Sequence, residues 1–329
     1  MENKETVCAI VVTFNRKDLL IECLDALCKQ TRPIDALYII DNFSNDGTAE
    51  LLFENGYLKK LPPENLTEPF ETEIDFDNSE FLGTFDDEIA TAENRFKIYY
   101  VRMNENTGGA GGFHEGVKRG YEKGYDWLWL MDDDGVPEKK CLELLIGNTS
   151  KSLQYIAPNL IDGDGKSHFE YKFSNSKTDI VNDIGGPFNG ILISNTIVKE
   201  IGFPMKNYFL WGDEHEYTNR IQEAGFPVAT AKKAIHFHKR TSIDYKNAPR
   251  LFFLVRNSIY NYRLFKGIYR SRICYLFGVI YLISIAFIKS AINLKFRQVR
   301  DVLFGIFRGI SDPLRKYQIE SCWWGMKDN

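Results

Sequence analysis

The sequence predicts an α/β protein: a doubly wound, mixed but mostly parallel sheet flanked by helices, with a helical region at the C-terminal end. Three observations predict it. Val7–Val12 is a continuous Val/Ile-rich run of strand length, the pattern of a parallel strand buried on both faces. The first 55 residues alternate strand-like and helix-like stretches, β-α-β-α. Polar clusters then follow strand-like runs three times, at Thr13–Arg16, Asp41-Asn42 and Asp132–Asp134, and open α/β sheets bind ligands beyond the carboxyl ends of their strands.

Each element follows in turn. After Val7–Val12, the residues Leu19, Leu20, Cys23, Leu24 and Leu27 stand at helical spacing until Pro33 ends the unit. Ala36–Ile40 is a second strand, and Ser44–Thr48 leads into a helix from about Ala49. Residues 61–95 are strongly acidic, with Arg95 the single basic residue, and read as a long surface insertion. The sheet resumes at Lys97–Arg102. A glycine-rich stretch, Asn106–Phe113, precedes a helix with Phe113, Val117 and Tyr121 on one face. Asp126–Met131 is the strand that delivers Asp132-Asp133-Asp134, and Pro137 is expected to start the next helix. Asn189–Ile193 is a strand, Asp213–Ala224 a helix closed by Gly225, and Val228–Phe237 a strand ending in two histidines. The expected division is a catalytic domain over 1–247, carrying the 61–95 insertion, and a helical region over 248–329.

Bulk composition narrows the class. The 329 residues are 44% hydrophobic and 26% charged, with a net charge of −4, which suits a folded protein and argues against a nucleic-acid partner. Six cysteines with no C-x-x-C read as reduced thiols of a cytoplasmic protein. The N-terminus has no signal-peptide pattern. The longest apolar run, Ile273–Ile288, falls short of the about 20 residues that cross a bilayer. With basic residues around it (Arg272, Lys289, Arg297, Arg300, Arg308), it reads either as a helix touching the inner face of the membrane or as one that covers the sheet or makes a homo-oligomer.

The chemistry concentrates in a few residues. Three adjacent carboxylates, Asp132, Asp133 and Asp134, repel one another and are costly away from water unless a cation neutralises them. Hard oxygen ligands of this kind suit Mg²⁺ or Mn²⁺, shared with a substrate phosphate. The glycine stretch is not G-x-G-x-x-G, because His114 stands in the last glycine's place, and no G-x-x-x-x-G-K-[ST] occurs anywhere. Dinucleotide and P-loop chemistry therefore lose support. Four glycines either bring backbone N–H groups to an anionic ligand or pack helix tightly on sheet. Trp211–Glu216 places Asp213, Glu214 and Glu216 at a helix start, where carboxylates suit the positive end of the dipole and where one can face the crevice as a general base. Glu216 and Arg220 are spaced as an i,i+4 pair. His236 and His238 share one strand face, and either can supply a further metal ligand.

Taken together, the motifs V-V-T-F-N-R (Val11–Arg16), I-I-D-N-F-S-N-D-G-T (Ile39–Thr48), N-T-G-G-A-G-G-F (Asn106–Phe113), L-M-D-D-D (Leu130–Asp134), W-G-D-E-H-E-Y (Trp211–Tyr217) and H-F-H-K (His236–Lys239) resemble glycosyltransferase family 2, inverting enzymes of the GT-A fold. The resemblance spans roughly residues 7–265, and its glycine stretch and Trp-led acidic motif resemble the galactofuranosyltransferase branch, with rhamnosyltransferases close by. It implies that Thr13, Asn15, Arg16 and Asp41 hold the nucleotide's base and ribose. Asn106, Gly108 and Gly109 would lie beside the donor sugar and diphosphate. Asp132 and Asp133 would sit at the nucleotide, and Asp132 and Asp134 at a divalent metal with His238, or less favourably His236. Trp211 would meet the acceptor. Glu214 is the favoured base, with Asp213 the alternative; the family's usual Asp is here replaced by the longer Glu. The implied partners are a nucleotide-sugar, with UDP-galactofuranose favoured over dTDP-rhamnose, and a glycan or lipid-linked acceptor of bacterial cell-surface polysaccharide. A sugar-1-phosphate nucleotidyltransferase would need a glycine-rich basic loop after the first strand, which Thr13–Arg16 is not. A non-catalytic sugar-binding module would need no separate acidic helix start.

Overall fold

Strict alternation in the first strand sets the layers. In β1 (Val7–Thr13), Val7, Ala9 and Val11 face one hydrophobic core while Cys8, Ile10 and Val12 face another. Both faces are therefore covered by helices, which is why the run is apolar without a break. A computed structural model describes residues 4–78, 95–182, 185–239, 249–265, 272–292 and 296–313.

The strands are β1, β2 (Ala36–Asp41), β3 (Phe70–Asp77), β4 (Arg95–Arg102), β5 (Trp127–Asp132), β6 (Gly135–Pro137), β7 (Tyr155–Ile161), β8 (Ile180–Asn182), β9 (Ile191–Ser194) and β10 (Ala229–His238). They form one mixed sheet in the order β3-β4-β2-β1-β5-β9-β7-β10-β6, with β8 paired to β10. The block β4-β2-β1-β5 is parallel, as is β7 with β10, and the other pairs are antiparallel. Helices α1 (Lys17–Cys28), α2 (Thr48–Glu54) and α4 (Cys141–Ile146) pack on one face. Helices α3 (Gly108–Glu122), α6 (Asn195–Ile201) and α7 (Asp213–Glu223) pack on the other, and a short α5 (Glu170–Ser174) lies outside the cores. The chain ends in α8 (Pro249–Leu264), α9 (Arg272–Ile292) and α10 (Phe296–Ser311), which share a core of their own. The expected mixed α/β sheet with a C-terminal helical region is what forms, and β1, with β2 on one side and β5 on the other, is where the strand order reverses.

Four expectations need correcting. The acidic stretch 61–95 contains β3, whose sequence F-E-T-E-I-D-F-D alternates inward-leaning residues with exposed acids. It caps the sheet edge, where outward charge discourages further pairing; residues 79–94 lie outside the described residues. Pro137 does not start a helix. It ends β6, antiparallel to β10, and α4 begins at Cys141. The glycine stretch does not precede α3 but forms its first turns. The apolar run is longer than Ile273–Ile288, because α9 has 21 residues and Lys289 lies within it rather than ending it. None of the five described cysteines forms a disulfide; Cys322 and the basic Arg315 and Lys316 lie outside the described residues.

The glycines of α3 divide by space. A Cβ on Gly112 would stand 2.4 Å from Val12 Cγ1, and one on Gly116 would stand 2.3 Å from Ile10 Cγ2, so these positions let helix backbone lie against β1. Gly109 has nothing within 4 Å of its Cβ position. Gly112→Ala is therefore expected to cost about 1–3 kcal/mol by overpacking. Gly109→Ala should raise stability by up to about 1 kcal/mol, because alanine holds a helix better. Thermal melts of the two variants check this, and equal melting temperatures would contradict it.

Candidate functional site

The site is assembled at the carboxyl ends of β1, β2 and β5, the N-terminal ends of α3 and α7, and the end of β10. Thr13 closes β1 in a buried position and its Oγ1 donates to Asp133 Oδ2 at 2.7 Å. Arg16 Nη1 lies 3.2 Å from Asp133 Oδ1 and 2.8 Å from Asp134 Oδ2. The loop after β1 is thus tied to Asp133 and Asp134, nearly 120 residues away. Asn15 turns this loop in the left-handed region (φ 54°), its N–H donating to Ser44 Oγ and its Oδ1 accepting from the Asn45 N–H. That stitches the loops after β1 and β2 together.

Asp41 closes β2 in a fully buried position. It has no exposed surface; one oxygen accepts from Tyr100 and Arg102, both at 2.7 Å, and the other from the Ser44 N–H. In this conformation it shapes the loop after β2. Arg102 in turn lies over the ring of the exposed Phe43. Asn42, the second residue of the polar pair after β2, holds the glycine loop: its Nδ2 donates to the Gly108 carbonyl and its Oδ1 accepts from the Thr107 N–H. Asn106 Oδ1 accepts from the Gly108 N–H at 2.8 Å. Gly108 cannot be anything else, since its φ is +71° and a Cβ would stand 1.9 Å from the Phe209 carbonyl oxygen.

The three aspartates take three environments. Burial and the neighbouring Asp134, Asp133 and Glu214 push the Asp132 carboxyl well above the usual range. Burial raises Asp133 to about 6 even though Arg16 and Thr13 pull it down. Burial also raises Asp134, but His238 and Arg16 more than offset it and hold it below the usual range. His238 Nε2 lies 3.3 Å from Asp134 Oδ1, an atom that makes no well-formed hydrogen bond. His236 is fully enclosed: a Cβ on Gly135 or Gly190 would clash with its ring, and burial lowers it to about 3, a neutral imidazole. Of the two histidines, His238 is the one beside the aspartates.

The α7 start supplies the remaining acids. Burial and Glu214 push Asp213 well up, with Asp132 and Glu216 adding to it. Asp213 is 4% exposed, whereas Glu214 is only partly buried. Glu216 is spent structurally as expected, paired with Arg220 through two bonds of 2.8 Å. The turn leading in is strained, with Phe209 and Trp211 both at φ 63°. It is held by residues that sequence reasoning missed. Asn257 Nδ2 on α8 donates to the carbonyls of Tyr208, Leu210 and Trp211 at 3.0, 2.9 and 2.6 Å. Asn261 Nδ2 donates to the Gly212 carbonyl, and Arg256 to those of Asn207 and Tyr208. A pair of asparagines one helical turn apart carries no local signature, because its partners lie more than forty residues back.

The geometry joins Thr13, Arg16, Asp133, Asp134 and His238 directly, and Asp132, Glu214 and Asp213 act on one another electrostatically. Against known proteins, the family model of glycosyl transferase family 2 matches residues 8–56 and 85–205. The chain belongs to this family. Among curated relatives, the galactofuranosyltransferase GlfT1 of Mycolicibacterium smegmatis is 28% identical over 265 residues, covering 75% of each chain. GlfT1 of Mycobacterium tuberculosis H37Rv is 29% identical over 258 residues, covering 74% of this chain and 73% of its own. The mannosyltransferase PcManGT of Pyrobaculum calidifontis, solved with GDP-Man and Mn²⁺, superposes with a TM-score of 0.56 at 12% identity, over 94% of this chain and 88% of that one. S. aureus TarS 1–349 gives 0.53 at 10% identity, over 92% and 81%. The sheet is therefore the GT-A arrangement, and the chain is a glycosyltransferase. The family match ends at residue 205, before Trp211–Glu216 and the histidines, so what is said of those residues rests on their placement here.

Proposed function

We propose that this glycosyltransferase is an inverting, metal-dependent enzyme that moves galactofuranose from UDP-galactofuranose to a glycan or lipid-linked acceptor in bacterial cell-surface polysaccharide synthesis. It would work in the cytoplasm. The observation that carries the mechanism is His238 Nε2 standing 3.3 Å from Asp134 Oδ1, with Asp134 and Glu214 among the charges that act on Asp132. The donor follows the two relatives, both galactofuranosyltransferases.

The residues fit a divalent cation. Asp134 Oδ1 is buried without a well-formed hydrogen bond, His238 Nε2 faces it, and Asp132 carries a carboxylate that its neighbours disfavour. Among the described residues no three such side chains already converge on a point, so water and the donor diphosphate would complete the shell. Asp134 and His238 would hold Mn²⁺ or Mg²⁺, with Asp132 facing it. Bound there, the ion would supply positive charge for the diphosphate as it leaves.

The chain's own groups do the rest. Thr13, Asn15 and Arg16 would receive the nucleotide, with Asp133 fixing Thr13 and Arg16 and with Asp41 holding the loop between them. Asn106 and Gly108 would set the backbone beside the donor sugar, and the open Gly109 would leave room for it. Trp211 would meet the acceptor. Glu214 would take the acceptor hydroxyl's proton as its oxygen bonds to the anomeric carbon and the bond to the diphosphate breaks on the opposite face. One displacement inverts the anomeric centre. Residues 1–247 would form the catalytic unit and 248–329 the helical region.

A donor panel tests the reading: UDP-galactofuranose, UDP-galactopyranose, UDP-glucose and dTDP-rhamnose, each assayed for nucleoside diphosphate release with Mn²⁺ and then with EDTA. Release from UDP-galactofuranose that EDTA abolishes is the expected result. Release from dTDP-rhamnose alone would move the donor to the rhamnosyl branch, and release unaffected by EDTA would overturn the metal.

A further inference from the structure

The C-terminal helices carry more exposed apolar surface than their packing explains. On α9, Ile273, Phe277, Ile280, Tyr281, Phe287 and Ile288 are exposed, and only 17% of its most apolar stretch is buried. On α10, Gln298, Val302, Gly305 and Gly309 face inward, with a Cβ on Gly305 or Gly309 meeting α8 within 3 Å. The stripe Phe296, Leu303, Phe307 and Ile310 follows helical spacing on another side and is more than half exposed throughout. Arg297, Arg300 and Arg308 flank that stripe, all exposed. The segment 272–313 holds six Lys/Arg and two Asp, a balance of +4 in a chain whose total is −4. Solvent-exposed apolar area on this scale marks an interaction surface, and apolar stripes edged with arginine match a surface that is greasy inside and anionic outside.

We infer that α9 and α10 are a membrane-docking face, lying in the plane of an anionic phospholipid surface with their apolar side chains at the acyl boundary and the arginines among the headgroups. Helix α9 has the length and apolarity to cross a bilayer. Its packing opposes that: Val279 and Ala286 sit in a common core with Leu251, Val255 and Ile259 of α8 and Val302 of α10. Helix α8 is bound in turn to the turn before α7 through Asn257, Asn261 and Arg256. A spanning α9 would have to draw its charged and polar neighbours into hydrocarbon or leave that core. Docking by contrast keeps the three helices together, with the Trp211 turn fastened to α8. This inference does not depend on the donor sugar.

Vesicle sedimentation of the full chain tests it without turnover. Phosphatidylcholine vesicles are compared with vesicles that also contain phosphatidylglycerol, at low and high salt, followed by an alkaline carbonate wash. The expected result is pelleting with the anionic vesicles, loss at high salt, and release by carbonate. Replacing Arg297, Arg300 and Arg308 by Gln should weaken binding about tenfold. Three full charges would give about a hundredfold at about 1 kcal/mol each, but Arg300 and Arg308 already share theirs with Asp301 and Asp312. Phe296→Ser with Phe307→Ser, both exposed, should weaken binding to both vesicle types, and circular dichroism checks that these variants fold. Retention through carbonate would overturn docking in favour of a spanning helix. Equal binding to neutral and anionic vesicles would remove the role of the arginines. No pelleting, with a dimer mass by light scattering, would assign the face to a second copy of the chain.

Discussion

Asp134→Asn is expected to lower turnover by on the order of a hundredfold or more while changing the stability of the apo protein little. Both halves follow from the same cluster. In the proposed mechanism Asp134 and His238 hold the cation that neutralises the leaving diphosphate, and removing one preorganised electrostatic contact of that kind typically costs about 10²–10³ in rate. Without the cation, however, Asp134 is one of the charges that push Asp132 far up. The substitution removes that repulsion and gives up an Arg16 contact that is 41% exposed on the arginine side and so worth little, together with the approach of His238 to Asp134 Oδ1. The measurement pairs steady-state rates with thermal melts, with and without Mn²⁺ plus UDP. Wild type should gain melting temperature from ligands that bind only the folded state, and the Asp134→Asn variant should gain less. An equal gain in both would mean that Asp134 does not hold the metal.

Much of this architecture was legible because the signals are local. An unbroken apolar run such as Val7–Val12 means burial on both faces, and a D-D-D directly behind Trp127–Met131 has to stand at the end of a buried strand. The signals that were missed fail for specific reasons. The alternation in Phe70–Asp77 is clear, but four acids in eight residues look like a solvated loop unless an edge strand is considered. Glycines usually mark loops, yet Gly112 and Gly116 of α3 are there because Val12 and Ile10 leave the helix no room for side chains. The rule that a basic residue ends an apolar run cut α9 short at Lys289, which the helix instead keeps at its exposed side. No pattern within α8 could reveal that Asn257 takes three carbonyls of a turn 46 to 49 residues earlier. The site is thus readable where the sheet delivers it and hidden where one helix braces another element's loop.

Glu214→Gln is expected to lower the transfer rate by about 10²–10⁴ while donor binding persists, and Asp213→Asn to change both rate and stability much less. A general base contributes rate in that range, and it has to be ionised and reach the acceptor. Asp213 meets neither requirement in this conformation: it is 4% exposed, and burial together with Glu214 favours its neutral form. Glu214 is partly open and acts electrostatically on Asp132. Asparagine in place of Asp213 would keep the size of the side chain and relieve repulsion, so apo stability should not fall by much more than about 1 kcal/mol. Comparing kcat with the donor dissociation constant for both variants separates the two residues. A near-normal rate for Glu214→Gln beside a collapsed rate for Asp213→Asn, with donor binding intact in each, would transfer the base to Asp213. It would also require the α7 start to turn its buried carboxylate outward when the acceptor binds, a movement that the Asn257 clamp on the preceding carbonyls would have to permit.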